Sequence, residues 1–76
     1  MKINIKLDSI DAVREFVNTV NRFTSDFDLI SGRYVIDAKS IMGIFSLDLS
    51  KQLVLEIHEN NNEKDALLEA LKPFMA

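Results

Sequence analysis

Between Lys2 and Phe23 the spacing of apolar side chains switches from every second residue to alternating threes and fours. Few folds accommodate that switch in so short a chain. Ile3, Ile5 and Leu7 alternate with Lys2, Asn4 and Lys6, the period of a strand over residues 2–7 with one buried and one wet face. From Ile10 the apolar positions continue as Val13, Phe16, Val17, Val20 and Phe23, the stripe of an amphipathic helix over residues 9–24. Asp8 or Ser9 supplies the N-cap.

The pattern then repeats with variations. Phe27 and Leu29, followed by Tyr34 to Ile36, are β-favouring runs separated by Ser31-Gly32-Arg33, where glycine can take the positive φ of a tight hairpin turn. A short apolar helix is expected after Ser40. Leu53, Leu55 and Ile57 alternate with Val54, Glu56 and His58 in a fourth strand. Asn60 to Asn62 break the chain, and Asn62 followed by Glu63, Lys64 and Asp65 resembles a capping arrangement. Ala66, Leu67, Ala70, Leu71 and Phe74 then mark one face of a last helix, with Pro73 tolerated in its final turn. The order β-α-β-β-α-β-α predicts an α+β fold. It is a two-layer, open-faced sandwich in which helices cover one side of a four-stranded antiparallel sheet and Lys6, Glu56 and His58 lie on the other.

Size and charge bound the function. The 76 residues form a single expected domain, 1–76, without linker or internal repeat, and they contain no cysteine, so the core must hold the fold without disulfides or thiolate metal sites. No apolar run approaches the roughly 20 residues of a membrane span, and no apolar leader precedes the first strand, so the expectation is a cytoplasmic protein. With a net charge of -3 and scattered cations, neither nucleic acid nor an anionic membrane is an expected partner. The chain has no glycine-rich phosphate loop, no HExxH helix and no nucleophile-base grouping, so no enzyme activity and no cofactor are expected. The carboxylate pairs Asp26/Asp28 and Glu63/Asp65 are read as separate solvated or capping groups, and no metal site is expected.

One segment departs from an ordinary core. In Ile41, Met42, Gly43, Ile44, Phe45, Ser46 and Leu47, five large apolar residues occupy seven positions, more than a short helix can bury. Spacing assigns Ile44 and Leu47 to the core and leaves Met42 and Phe45 at the surface. Lys39-Ser40-Ile41-Met42-Gly43-Ile44 with Ser46-Leu47 resembles the K-S-I-M-G-V-M-S-L segment of the HPr family, the histidine-containing phosphocarriers of the bacterial sugar phosphotransferase system. Length, element order, the Gly32 turn and Glu63-Lys64-Asp65-Ala66-Leu67, similar to the family's E-N-D-A-L, extend the resemblance along the whole chain.

The resemblance implies a reaction and shows where this sequence departs from it. In the family, enzyme I phosphorylates a histidine at the start of the first helix, within G-I-H-A-R-P-A, and the motif's arginine and the helix N-terminus stabilise the phosphate. Here Ser9 stands at the histidine's position and Asp11 at the arginine's, and no histidine precedes His58. Asp8, Asp11 and Glu15 make the helix entrance acidic, which opposes approach of a phosphoryl group. The expectation is therefore a regulatory or docking module rather than a phosphohistidine carrier. Ser40 matches the serine that a dedicated kinase phosphorylates in many Gram-positive members, and Ile41, Met42 and Phe45 are the expected partner-docking residues. Partners implied by the resemblance are proteins of the phosphotransferase or carbon-catabolite network, namely the serine kinase, a regulator or enzyme I. Two alternatives stand beside this: a carrier using a non-standard acceptor such as His58, and an HPr-fold binding domain with an unrelated partner.

Overall fold

The computed structural model describes all residues from Met1 to Ala76. The N-terminal alternation forms β1 (Lys2–Ile5). It is followed by α1 (Ile10–Val20), β2 (Asp26–Ser31), β3 (Tyr34–Asp37), α2 (Ile41–Phe45), β4 (Leu53–His58) and α3 (Lys64–Leu71), with a 3-10 turn over Lys72–Phe74. The strands make one antiparallel sheet in the order β1-β4-β2-β3. Its register explains the alternation. Ile3, Leu55, Leu29 and Ile36 form one rung directed at the helices, while Asn4, Val54, Ile30 and Val35 form the adjacent rung on the open face.

Sixteen buried residues make one core. Val13, Phe16, Val17 and Val20 of α1 and Leu67 and Leu71 of α3 lie against Phe27, Leu29, Leu53, Leu55 and Ile57 of the sheet. Phe16 and Phe74 meet edge to face, with ring centroids 5.5 Å apart. Each fully buried side chain of this kind contributes about 1.5–3 kcal/mol relative to exposure, so the core alone can hold a chain of this size without covalent staples. The β2–β3 hairpin turns through Gly32 and Arg33, since Ser31 pairs directly with Tyr34, and Gly32 takes φ +59°, which a Cβ would disfavour.

Four local expectations are corrected. The first strand ends at Ile5 rather than Leu7, because β4 begins at Leu53, the partner of Ile5; Lys6 instead donates to the carbonyl of Phe74 at 2.8 Å, while Leu7 stays fully buried. The first helix ends at Val20, four residues early. Asn21 closes it by donating its backbone N–H and side-chain Nδ2 to the Val17 carbonyl, and Phe23, only half-buried, belongs to the turn that follows. Asn62 does not cap α3. Asn61 and Asn62 take the left-handed conformation, at φ 57° and 55°, and Glu63 precedes the helix without a side-chain cap. Ala66, expected on the buried face of α3, is exposed, and Leu67, Leu71 and Phe74 supply that contact.

Glu63 is instead spent on the loop between α1 and β2. Its Oε1 accepts from the backbone N–H and the hydroxyl of Thr24 at 3.1 and 2.8 Å, and its Oε2 from those of Ser25 at 3.1 and 2.8 Å. Ser25, fully buried, also accepts from the Asn60 N–H, so no buried side-chain polar atom of this junction is left without a partner. Burial raises the carboxyl's pKa, but the four hydrogen bonds outweigh it and hold the value at about 2 against an ordinary 4.5. A depressed folded pKa stabilises the fold above the unfolded value, and that stability is lost as pH falls from about 4.5 towards 2. Glu63→Gln should lower the thermal midpoint at pH 7 by on the order of 10 °C. The gap to the wild type should narrow as pH falls through this window, and melting curves at pH 7, 4 and 2.5 check it.

Candidate functional site

The N-terminal end of α1 and the C-terminal end of α2 border one surface groove, polar at the α1 cap and apolar at Ile10, Phe45 and Leu49. Ser9 has extended backbone dihedrals, and its Oγ accepts from the Ala12 N–H at 3.0 Å, so it is the N-cap of α1. Asp8 and Asp11 flank it, both exposed. Ser40 does the same for α2, its Oγ accepting from the Gly43 N–H at 3.3 Å while its side chain stays exposed. Gly43 allows that close approach: a Cβ there would come within 3.3 Å of both Ser40 Oγ and the Ile36 methyl.

Between the helices lies a groove of about 510 Å³, bordered by Lys6, Asp8, Ser9, Ile10, Phe45 and Leu49. Lys6 donates to the Ser50 carbonyl at 3.1 Å. Asp48 closes the turn after α2 by accepting from the Ser50 hydroxyl and N–H, which together with Lys51 keeps its carboxyl below the usual range. Of the apolar cluster, Ile44 is fully buried and Leu47 half-buried, as spacing predicts, while Met42 is 77% and Phe45 41% exposed. Ile41 is half-buried and packs on the core. Ile10, which the helical stripe assigns to the core, is 61% exposed, because the first turn of α1 borders the groove instead of the sheet. Leu49 also escapes a reading of the sequence, since only the turn at Asp48 brings it to the groove.

The groove is bordered by Ser9 and Ser50 and by no imidazole, and Ser40 stands outside it at the other end of α2. His58 lies at the end of β4, and its Nε2 sits 3.0 Å from Asp28 Oδ2 and 3.4 Å from Glu56 Oε1. Glu56 is a predicted neighbour and Asp28 is not. Contrary to the separation expected of them, Asp26 and Asp28 point to the same side of β2, as residues two apart on a strand must, and pair with His58 and Glu56 across the sheet.

The sequence model for the phosphorylation-site component HPr of the phosphotransferase system matches residues 10–76. The chain belongs to the HPr family. HPr-like protein Crh of Halalkalibacterium halodurans is 41% identical over 61 residues, which cover 79% of this chain and 71% of that protein. The phosphocarrier protein HPr of Bacillus anthracis superposes with a TM-score of 0.74 at 22% identity, covering all of this chain and 96% of its own. Crh of Bacillus subtilis, a catabolite-repression protein that crystallised as a domain-swapped, intertwined dimer, superposes with a TM-score of 0.65 at 26% identity over 97% of this chain and 88% of its own. The HPr fold inferred from residues 39–47 is thus the fold observed. The match to the HPr family begins at Ile10, immediately after the serine that caps α1.

Proposed function

We propose that this HPr-family chain is a regulatory docking protein of the phosphotransferase and carbon-catabolite network, with Ser40 as its phosphorylation site, and not a phosphohistidine carrier or an enzyme. The observation that carries this reading is the exposed apolar surface of Ile10 and Phe45 at a groove whose nucleophile position holds a capping serine, with Met42 exposed on the same short helix as Phe45. Met and Phe offer adaptable and flat contact area without a large entropic cost, and neither is needed to complete the core. The likeness to an HPr-like Crh supports the same assignment. A phosphate on Ser40 Oγ adds about -1.5 to -2 charges next to Met42, which favours a partner presenting arginine or lysine and opposes a purely apolar one. His58 lies between two carboxylates on the face of the sheet that no helix covers, which disfavours the alternative acceptor.

The test uses the purified serine kinase of a Gram-positive phosphotransferase system and ATP, with intact mass as readout. Wild type should gain one phosphoryl group, and Ser40→Asn, which keeps a capping side chain but no hydroxyl, should gain none. Phe45→Ala should slow phosphorylation by roughly 30-fold or more, as expected for loss of a central contact residue. Phosphorylation of Ser40→Asn, or an unchanged rate for Phe45→Ala, overturns the proposal.

A further inference from the structure

On the side of the sheet that no helix covers, Lys2 of β1, Glu56 of β4, Asp28 of β2 and Asp37 of β3 stand in one rung. Asp26 and His58 pair in the next. Like charges directly opposed on neighbouring strands are destabilising, yet Asp28 faces Glu56 across the two central strands. Asp37 is engaged locally, accepting from the Lys39 N–H at 2.9 Å. Lys2 Nζ lies 3.4 Å from Glu56 Oε2, leaving Oε1 directed at His58.

We propose that Asp28, Glu56 and His58 form a surface site for a divalent transition-metal ion, with zinc as the best-matched ion. One donor atom from each residue lies within 4.8 Å of both others, and the imidazole nitrogen is already 3.0 and 3.4 Å from the two carboxylate oxygens. Donors bound to zinc at about 2.0–2.2 Å stand roughly 3–3.6 Å from one another, so the set needs only a small turn of one carboxylate to close. The chemistry agrees with the spacing. Imidazole nitrogen with carboxylate oxygen is a usual zinc donor set, whereas calcium takes six or more oxygens and magnesium a near-ideal octahedron of them. Two carboxylates balance the ion's charge and relieve their mutual repulsion, and the metal replaces the proton that His58 Nε2 shares with Asp28. Both central strands fix the backbones of the three ligands, and three protein donors leave one position for water.

The test is titration of the untagged protein with zinc chloride, followed by calorimetry and by NMR of the imidazole, which is unambiguous because the chain has a single histidine. Saturable binding of one zinc with a shift of the His58 ring resonances is expected, and magnesium chloride at the same concentration should leave the ring unchanged. His58→Gln and Asp28→Asn should each weaken zinc binding at least about 10-fold while circular dichroism remains that of the wild type. No ring shift up to millimolar zinc would show that the cluster is an ion pair only. An equal response to magnesium, or zinc affinity untouched by His58→Gln, would likewise overturn the site.

Discussion

Phe16→Ala should destabilise the protein by about 3–5 kcal/mol, whereas Phe45→Ala should cost no more than about 1 kcal/mol. Phe16 is fully buried at the centre of the helix–sheet interface and meets the Phe74 ring, so truncation leaves a cavity that neither neighbour can fill. Phe45 is 41% exposed and gives up mainly surface contact at the groove. A chain of this length has roughly 4–11 kcal/mol of stability in all, so the first substitution removes a large share of it. With a urea dependence of about 1 kcal/mol per molar for a small domain, the midpoint should fall by roughly 3 M or more for Phe16→Ala and by less than about 1 M for Phe45→Ala. Equal losses for the two would place Phe45 in the core and remove the physical basis of the docking surface.

Restoring the carrier chemistry should require two substitutions, not one. Incubated with enzyme I and phosphoenolpyruvate, the wild type should gain no acid-labile phosphoryl group, and Ser9→His should gain almost none, although it places an imidazole at the start of α1. Asp11 in the first helical turn then stands beside the incoming phosphoryl group, and a unit charge about 4 Å away costs or supplies on the order of 4 kcal/mol at a protein surface. Ser9→His/Asp11→Arg reverses that sign and should accept phosphate at least ~100-fold faster than Ser9→His, which corresponds to under 3 kcal/mol of the charge effect. Intact mass at neutral pH, with acid treatment to identify phosphohistidine, reads both outcomes. A wild-type gain abolished by His58→Ala would instead identify His58 as the acceptor.

The order of elements was legible because each carries its own period. Leu53, Leu55 and Ile57 could lie only on one side of a strand, and Val13, Phe16, Val17 and Val20 only on one side of a helix. The exposure of Met42 and Phe45 followed from counting, since a five-residue helix cannot bury every large side chain it carries. What escaped depends on neighbours distant in sequence. Ile10 fits the helical stripe perfectly well, yet its turn overhangs the groove; Asn62 looks like a cap, yet Glu63 beside it is drawn to Thr24 and Ser25, nearly forty positions earlier. The meeting of Asp28 with Glu56 and His58 required knowing that β4 lies between β1 and β2, an arrangement that no local pattern encodes.

The seam around β1 carries a consequence for synthesis. On one side Met1 exchanges backbone hydrogen bonds with Ile57, and on the other Lys6 donates to Phe74 and Ala76 donates to Asn4, so the first strand lies between β4 and the last residues of the chain. As the protein emerges from the ribosome, Ile3, Ile5 and Leu7 have no strand to join until residues 53–58 are made, and their outer edge stays open until residues 74–76 follow. At about 5–20 residues per second that interval is roughly 4–14 s, during which an apolar strand is available to any passing sheet edge. The edge of β1 therefore closes only after residues 74–76 have emerged, and until then β1 is the segment most in need of a chaperone.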